Sequence, residues 1–432
     1  MNGERVVVIG AAGEMARVAV ERLVGTRPMA RFELYDRDPA RLESFASRLP
    51  ANRVTTGSLD LFETDRLTET VATASLVVLG AGPYLRTAPP VMRACIEAGV
   101  AYIDFDDDIE STLDALALDA SARAAGVPLL IGCGAAPGYS NVLAVDAVSR
   151  LDSVDAIDVC WVTGDEGRHA HGAAALEHLL HISAGDCLTW RDGRQVRVES
   201  FVATEVFPFG GNLGDHRLYE TAHPEAVTLP RRYPAVRSVR VMGGLHPQPV
   251  NGSVRGIARA VHDGRMGVAE AVEWIQAVGL DERASLRGWR FALAGMIGQV
   301  RRGESSAGAL ARFLWMGLRG RHVEFRAAVM VRATGTRHGK PHTVTLRTST
   351  GGAATTFVRS MAAATGISLA AFATLSLDRV GELAGALAPE DWVVPHELYT
   401  ALERMGVPRR EFLVETDDPT GGVAATGSRY DR

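Results

Sequence analysis

Apolar residues in the first third of the chain fall in short unbroken runs. Each run is followed by a stretch with apolar positions three and four apart. The runs at 5–9, 31–36, 52–57, 75–80, 100–105 and 127–132 predict strands, and the stretches at 13–24, 39–48, 62–73, 87–98 and 109–125 predict helices. Continuous apolar runs alternating with helical periodicity imply parallel strands covered on both faces. The expected fold class is α/β, with an N-terminal Rossmann-type doubly wound parallel sheet over residues 1–137.

The pattern changes after Pro137-Gly138. A helix over 139–150 leads into the strand-like DAIDVCWVTG, and hairpin-like runs between Gly and Pro continue to about 250. Helical spacing holds over 265–320, strand patterns return at 322–333 and 341–348, and helix follows at 354–376. A second α/β domain for substrate binding and dimerisation, a mixed sheet plus helices, is therefore expected over 138–390. A closing helix within 391–414 is expected to pack back near the N-terminal domain, and the polar, glycine-rich 415–432 to form a frayed tail.

Composition narrows the class. An apolar content of 47% with 22% charged residues is that of an ordinary soluble globular protein. A net charge of −5 without Lys/Arg runs argues against a nucleic-acid partner. The apolar stretch 289–300 is too short to span a membrane. Four scattered cysteines, Cys95, Cys133, Cys160 and Cys187, form neither a disulfide framework nor a zinc motif. The N-terminus enters a strand directly, so a cytoplasmic protein is expected.

The first turn carries the clearest chemistry. VVVIGAAGEMA is a strand, a glycine corner and a helix start in that order, the context a dinucleotide fingerprint requires. Gly10 makes the turn, Gly13 admits a pyrophosphate, and Ala12, Glu14 and Met15 complete the cradle at the helix N-terminus. Asp36 ends the second strand where a carboxylate meets ribose hydroxyls, which points to NAD, while the adjacent Arg37 keeps NADP open. Gly80, Ala81, Gly82 and Pro83 end the fourth strand and are expected beside the nicotinamide ribose, with Tyr84 facing the reacting carbon. The fifth strand ends DFDDD; alternation puts Asp104 and Asp106 on one face, Phe105 and Asp107 on the other. Asp104 is expected to bind substrate and Asp106 to act on it, with Asp107 and Asp108 capping the next helix.

The pieces GAAGEMA, CIEAGVAYIDFDDD, APGYSNVLA, YETAHPEAVTLPRRYPAVRSVRV and WVVPHELYTALERMGV resemble the saccharopine dehydrogenase family, on the side of its lysine 6-dehydrogenase and saccharopine reductase-like members. The helical stretch 265–320 departs from that pattern. The resemblance implies NAD(P)-linked hydride transfer at a CH–NH or CH–NH₂ carbon of an amino acid, and a homodimer. Arg217 and Tyr219 fall in a family-like segment and are candidates for the substrate carboxylate. His169 and His171 lie in a Gly-flanked loop, and His171 is a candidate proton acceptor; His178 and His181 share a helix face and read as packing or surface residues, with no metal expected. Two alternatives keep the fold: reduction of a C=C bond on an apolar substrate, or a non-catalytic NAD(H)-sensing or scaffold module.

Overall fold

The computed structural model describes residues 3–164, 172–280, 282–321, 323–352 and 354–418. The first domain alternates β1 (Arg5–Ile9), α1 (Glu14–Thr26), β2 (Arg31–Asp36), α2 (Pro39–Ala46), β3 (Val54–Ser58) and α3 (Thr64–Val71). It continues with β4 (Leu76–Leu79), α4 (Tyr84–Ala98), β5 (Ala101–Asp104), α5 (Ile109–Ala117), α6 (Asp119–Ala125) and β6 (Pro128–Leu130). All six expected strands form, and all pair in parallel.

The chain then gives α7 (Tyr139–Ser149), β7 (Ser153–Gly164), α8 (Ala173–Ile182), the hairpin β8 (Asp186–Arg191) and β9 (Arg194–Glu199), β10 (Thr204–Pro208) and β11 (Asp215–Glu220). Next come α9 (Glu225–Arg232), β12 (Ser238–His246), and four helices in a row: α10 (Pro249–His262), α11 (Val268–Gly279), α12 (Leu286–Arg301) and α13 (Ala307–Leu318). The chain closes with β13 (Ala328–Arg337), β14 (Lys340–Arg347), α14 (Met361–Leu377), β15 (Gly385–Leu387), α15 (Pro389–Trp392), α16 (Pro395–Arg404), α17 (Arg409–Phe412) and β16 (Val414–Asp418).

The first sheet runs β15-β6-β5-β4-β1-β2-β3. The direction of winding reverses between β1 and β4, and the carboxyl ends of those two strands make the crevice. The seventh strand, β15, comes from far along the chain and pairs in parallel with β6. The second sheet is mixed, with β10-β11-β12-β7-β13-β14-β16 as its spine and the β8–β9 hairpin leaning on β12. Residues 414–418, which overlap the expected frayed tail, pair antiparallel with β14 as an edge strand. Residues 225–232, in a hairpin-like stretch, form α9, whose apolar face buries Ala226 and Leu229.

One apolar core spans both sheets, with α7 and α14 in its middle. α14 (MAAATGISLAAFATLSL) is apolar all round because it is covered on all sides. Its Gly366 sits against the start of α1: a Cβ there would lie 2.4 Å from Met15 O. The glycine turn is thereby braced from behind.

Candidate active site

The corner after β1 is built by backbone contacts that exclude side chains. Gly10 has φ +82°, and a Cβ on it would lie 2.6 Å from Ala81 N. Gly80 presses on α1 in the same way, its virtual Cβ 2.8 Å from Ala16 Cβ. Asp36 ties the turn shut: Ala12 N–H donates to Oδ2 at 2.9 Å and Asp38 N–H to Oδ1 at 3.0 Å. Arg37 beside it is exposed.

A cavity of about 1520 Å³ begins at this corner and runs between the two domains. Gly13, Glu14, Met15, Gly80, Gly82 and Pro83 line it, whereas Gly10, Ala12, Asp36, Arg37 and Ala81 lie behind or beside its lining. A glycine edge followed by the N-terminus of a 13-residue helix is a cradle for a diphosphate.

At the floor of the cavity, the alternation along DFDDD holds, but its faces are exchanged. Asp104 and Asp106 point into the sheet-helix core. Asp104 accepts from Tyr102 Oη at 2.7 Å, Gly132 N at 2.7 Å and Asp106 N at 3.1 Å. Burial pushes its carboxyl up to about 6, although those bonds pull it down. Burial and the Asp104 charge push Asp106 well above the usual carboxylate range, and its Oδ1 accepts from Asp108 N at 2.9 Å. Both are clamps for the loop, so neither faces substrate as expected. Asp107 faces the cavity instead.

Tyr84 lines the cavity, but its hydroxyl turns inward, donating to Leu79 O at 3.3 Å, and its ring meets Phe105 edge-on at 5.7 Å. Arg217 donates to Thr204 Oγ1 at 2.9 Å, and Tyr219 stacks on Phe201 and accepts from Gln299 Nε2 at 2.8 Å; neither lines the cavity. Register explains this, since both sit on β11 toward the outer end of the second sheet. His169 and His171 lie outside the described residues.

Two other histidines do reach the floor. His178, on α8, donates from Nδ1 to Asp108 Oδ1 at 2.7 Å, and its Nε2 lies 3.3 Å from Asp107 Oδ2. Among the described residues no group hydrogen-bonds that Nε2. Burial alone would lower His178, but Asp107 and Asp108 outweigh it and push the imidazole up to about 9. Reciprocally, Asp108 falls below its usual value: burial would raise it, and the His178 bond prevails. Desolvation raises Asp107, against the pull of His178.

His223 follows β11, with its ring centroid 5.8 Å from that of His178. Its Nδ1 is 3.0 Å from Glu225 Oε2, and the other Glu225 oxygen accepts from Ser140 Oγ at 2.7 Å. Trp161, on β7, completes the group, its ring 5.9 Å from His223. One ligand atom each from Asp107, His178 and His223 falls within 4.8 Å of the others, close enough to gather round one cation, metal or ammonium. His181, by contrast, pairs with Glu110 on the exposed rim at 3.6 Å.

Sequence reasoning passed over His223, Glu225 and Trp161. The one available signal was the His-Pro-Glu spacing, which puts a carboxylate two residues from an imidazole it can orient.

A parallel sheet that reverses direction at a glycine corner, with a cleft against a second α/β domain, defines a Rossmann dinucleotide-binding protein. The comparisons make this particular. Residues 6–130 match the family model described as saccharopine dehydrogenase NADP binding domain, so the first domain is similar to that of the saccharopine dehydrogenase family. A carboxynorspermidine synthase from Vibrio alginolyticus is 30% identical over 39% of this chain and 43% of its own length. A carboxyaminopropylagmatine dehydrogenase from Synechocystis sp. is 25% identical over 55% of this chain and 61% of its own. The matches thus span about half the length of these relatives. The solved structure of saccharopine dehydrogenase (L-Glu forming) from Saccharomyces cerevisiae superposes with a TM-score of 0.64 at 14% identity, covering 96% of this chain and 100% of that one, and so shows a shared fold. Among the described residues no helix is long and apolar enough to cross a membrane.

Proposed function

We propose that the protein is a nicotinamide-dependent oxidoreductase acting on a carbon–nitrogen bond of a small amine or amino acid. The observation that carries this reading is the single cavity joining the glycine loops of β1 and β4 to the Asp107–His178–His223 floor. Gly13, Gly80 and Gly82 and the N-terminus of α1 line the cavity where a diphosphate belongs, so the dinucleotide fits there. When bound, it supplies a hydride donor or acceptor. Asp36 favours NAD, while the exposed Arg37 and the family model's name keep NADP as a partner.

The floor suits nitrogen chemistry. Asp107 offers a carboxylate to a cationic nitrogen, and Trp161 an aromatic face. His178, held charged by two carboxylates, stands on the acid side; in carbon–nitrogen bond formation its proton goes to the hydroxyl that leaves as water. Ser140 and Glu225 orient His223, leaving its Nε2 available to the substrate. Both relatives are named for nitrogen-rich compounds, which supports the same bond. The exposed Leu286, Trp315 and Leu318 support the homodimer, and four buried free cysteines support a reducing, cytoplasmic setting.

The test follows nicotinamide absorbance with NADH and NADPH against aldehyde-plus-amine pairs, and with NAD and NADP against amines. Turnover with at least one pair is expected. His178→Gln should lower it by roughly 10²–10⁴-fold with cofactor affinity unchanged. Tight cofactor binding without any turnover would leave a binding module, and no binding of either cofactor would sink the reading.

A further inference from the structure

The cavity, about 1520 Å³, carries the dinucleotide cradle and the floor, and its far end has a different character. Beyond the floor its wall is made by α10, α11, α12 and α13. Among the described residues, the only polar side chain these four helices contribute besides two indoles is Ser253, and none is charged; Glu282 and Arg321 line the cavity from the loops after α11 and α13. Ile257, Trp274, Trp289, Leu293, Phe313 and Leu314 form the wall.

That wall is rigid. Gly256 and Gly295 let α10 and α12 meet backbone to backbone: a Cβ on Gly256 would lie 2.2 Å from Phe291 O, and one on Gly295 2.1 Å from Gly252 O. The inner face of α12 (Gly288, Ala292, Met296) is thereby buried, and Trp289 and Leu293 are left on the cavity side. Trp274 is seated on Gly288, meets Trp289 edge-on at 5.2 Å, and donates its N–H away to Ser285 O at 3.2 Å, so it offers the cavity an apolar ring.

We propose that this chamber binds an apolar tail of the substrate, aliphatic or aromatic, while the Asp107–His178–His223 floor holds its nitrogen. The assignment rests on the nitrogen-chemistry reading above and adds the substrate class. A charged tail would lose its hydration against these helices, since the charged side chains on this side, Glu282 and Arg321, stand only in the loops that follow α11 and α13. An apolar one gains by leaving water.

The experiment is calorimetry at saturating NADPH, where amines bind without turning over. n-Butylamine, n-hexylamine and n-octylamine are compared with spermidine. Each added CH₂ should tighten binding about fourfold, and octylamine should bind more tightly than spermidine. Leu293→Glu should abolish the chain-length dependence with NADPH affinity unchanged; Phe313→Ala, a milder change, should weaken octylamine alone if the first variant does not fold. Affinity that is flat in chain length, or spermidine binding more tightly than octylamine, overturns the chamber. Chain-length-dependent binding without hydride transfer in the turnover assay would keep the chamber and remove the nitrogen-chemistry reading. Turnover confined to short or charged amines would do the reverse.

Discussion

Asp107→Asn tests the electrostatics of the floor directly. The change keeps the shape of the side chain and removes one negative charge 3.3 Å from His178 Nε2, leaving Asp108 Oδ1 2.7 Å from Nδ1. An opposite charge at this range moves a pKa by roughly 1–3. His178, pushed up to about 9 in the intact floor, should then titrate at roughly 6–8. The sign of the stability effect follows from the raised value. His178 contributes fully below its ordinary value of 6.5, and that contribution is lost as pH rises through about 9. A rise of this size is worth about 3 kcal/mol at low pH, for a side chain only 11% exposed. In Asp107→Asn the loss should start from the same pH, end sooner and be smaller. Glu390, pushed up to about 7 by burial, titrates in both proteins and cancels in their difference. The assay is NMR titration of ring-labelled histidine, with His178→Gln to assign the resonance, alongside urea unfolding at each pH. A wild-type His178 that titrates near its ordinary value, or one that stays near 9 in Asp107→Asn, refutes the argument.

Two further outcomes follow from where the side chains lie. Tyr84→Phe removes a buried bond to Leu79 O, so it should cost about 1 kcal/mol of stability and leave turnover unchanged. A tenfold drop in kcat at normal stability would return the phenol to the chemistry. Asp36→Ala frees Ala12 N–H and Asp38 N–H. It should weaken NADH more than NADPH in a fluorescence titration, by about tenfold for the loss of a charge-assisted bond, because Arg37 remains to meet a 2′-phosphate. Equal weakening of both would mean that Asp36 only holds the turn.

The first domain was legible because buried parallel strands are written as continuous apolar runs, which need no knowledge of their partners. β15 was not, since three residues, Gly385–Leu387, carry no periodicity and are strand only by pairing with β6. Elements whose identity is settled by distant pairing escape local reading in general, and β16 is another.

The floor shows the same limit at the level of single side chains. The period of DFDDD was readable; which face met the cavity was not, because α8 of the other domain decides it, 70 residues away at the His178–Asp108 contact. His178 alone looks like a packing residue, and only the two carboxylates beside it hold its imidazole charged. His223 depends on Glu225, and Glu225 on Ser140 from the turn APGYSN, 85 residues earlier. That motif therefore works at a distance: its serine fixes a carboxylate that fixes an imidazole. The resemblance could mark the motif without showing what it acts on, and the physical link appears only once α7 is packed against the strand-to-helix turn that precedes α9.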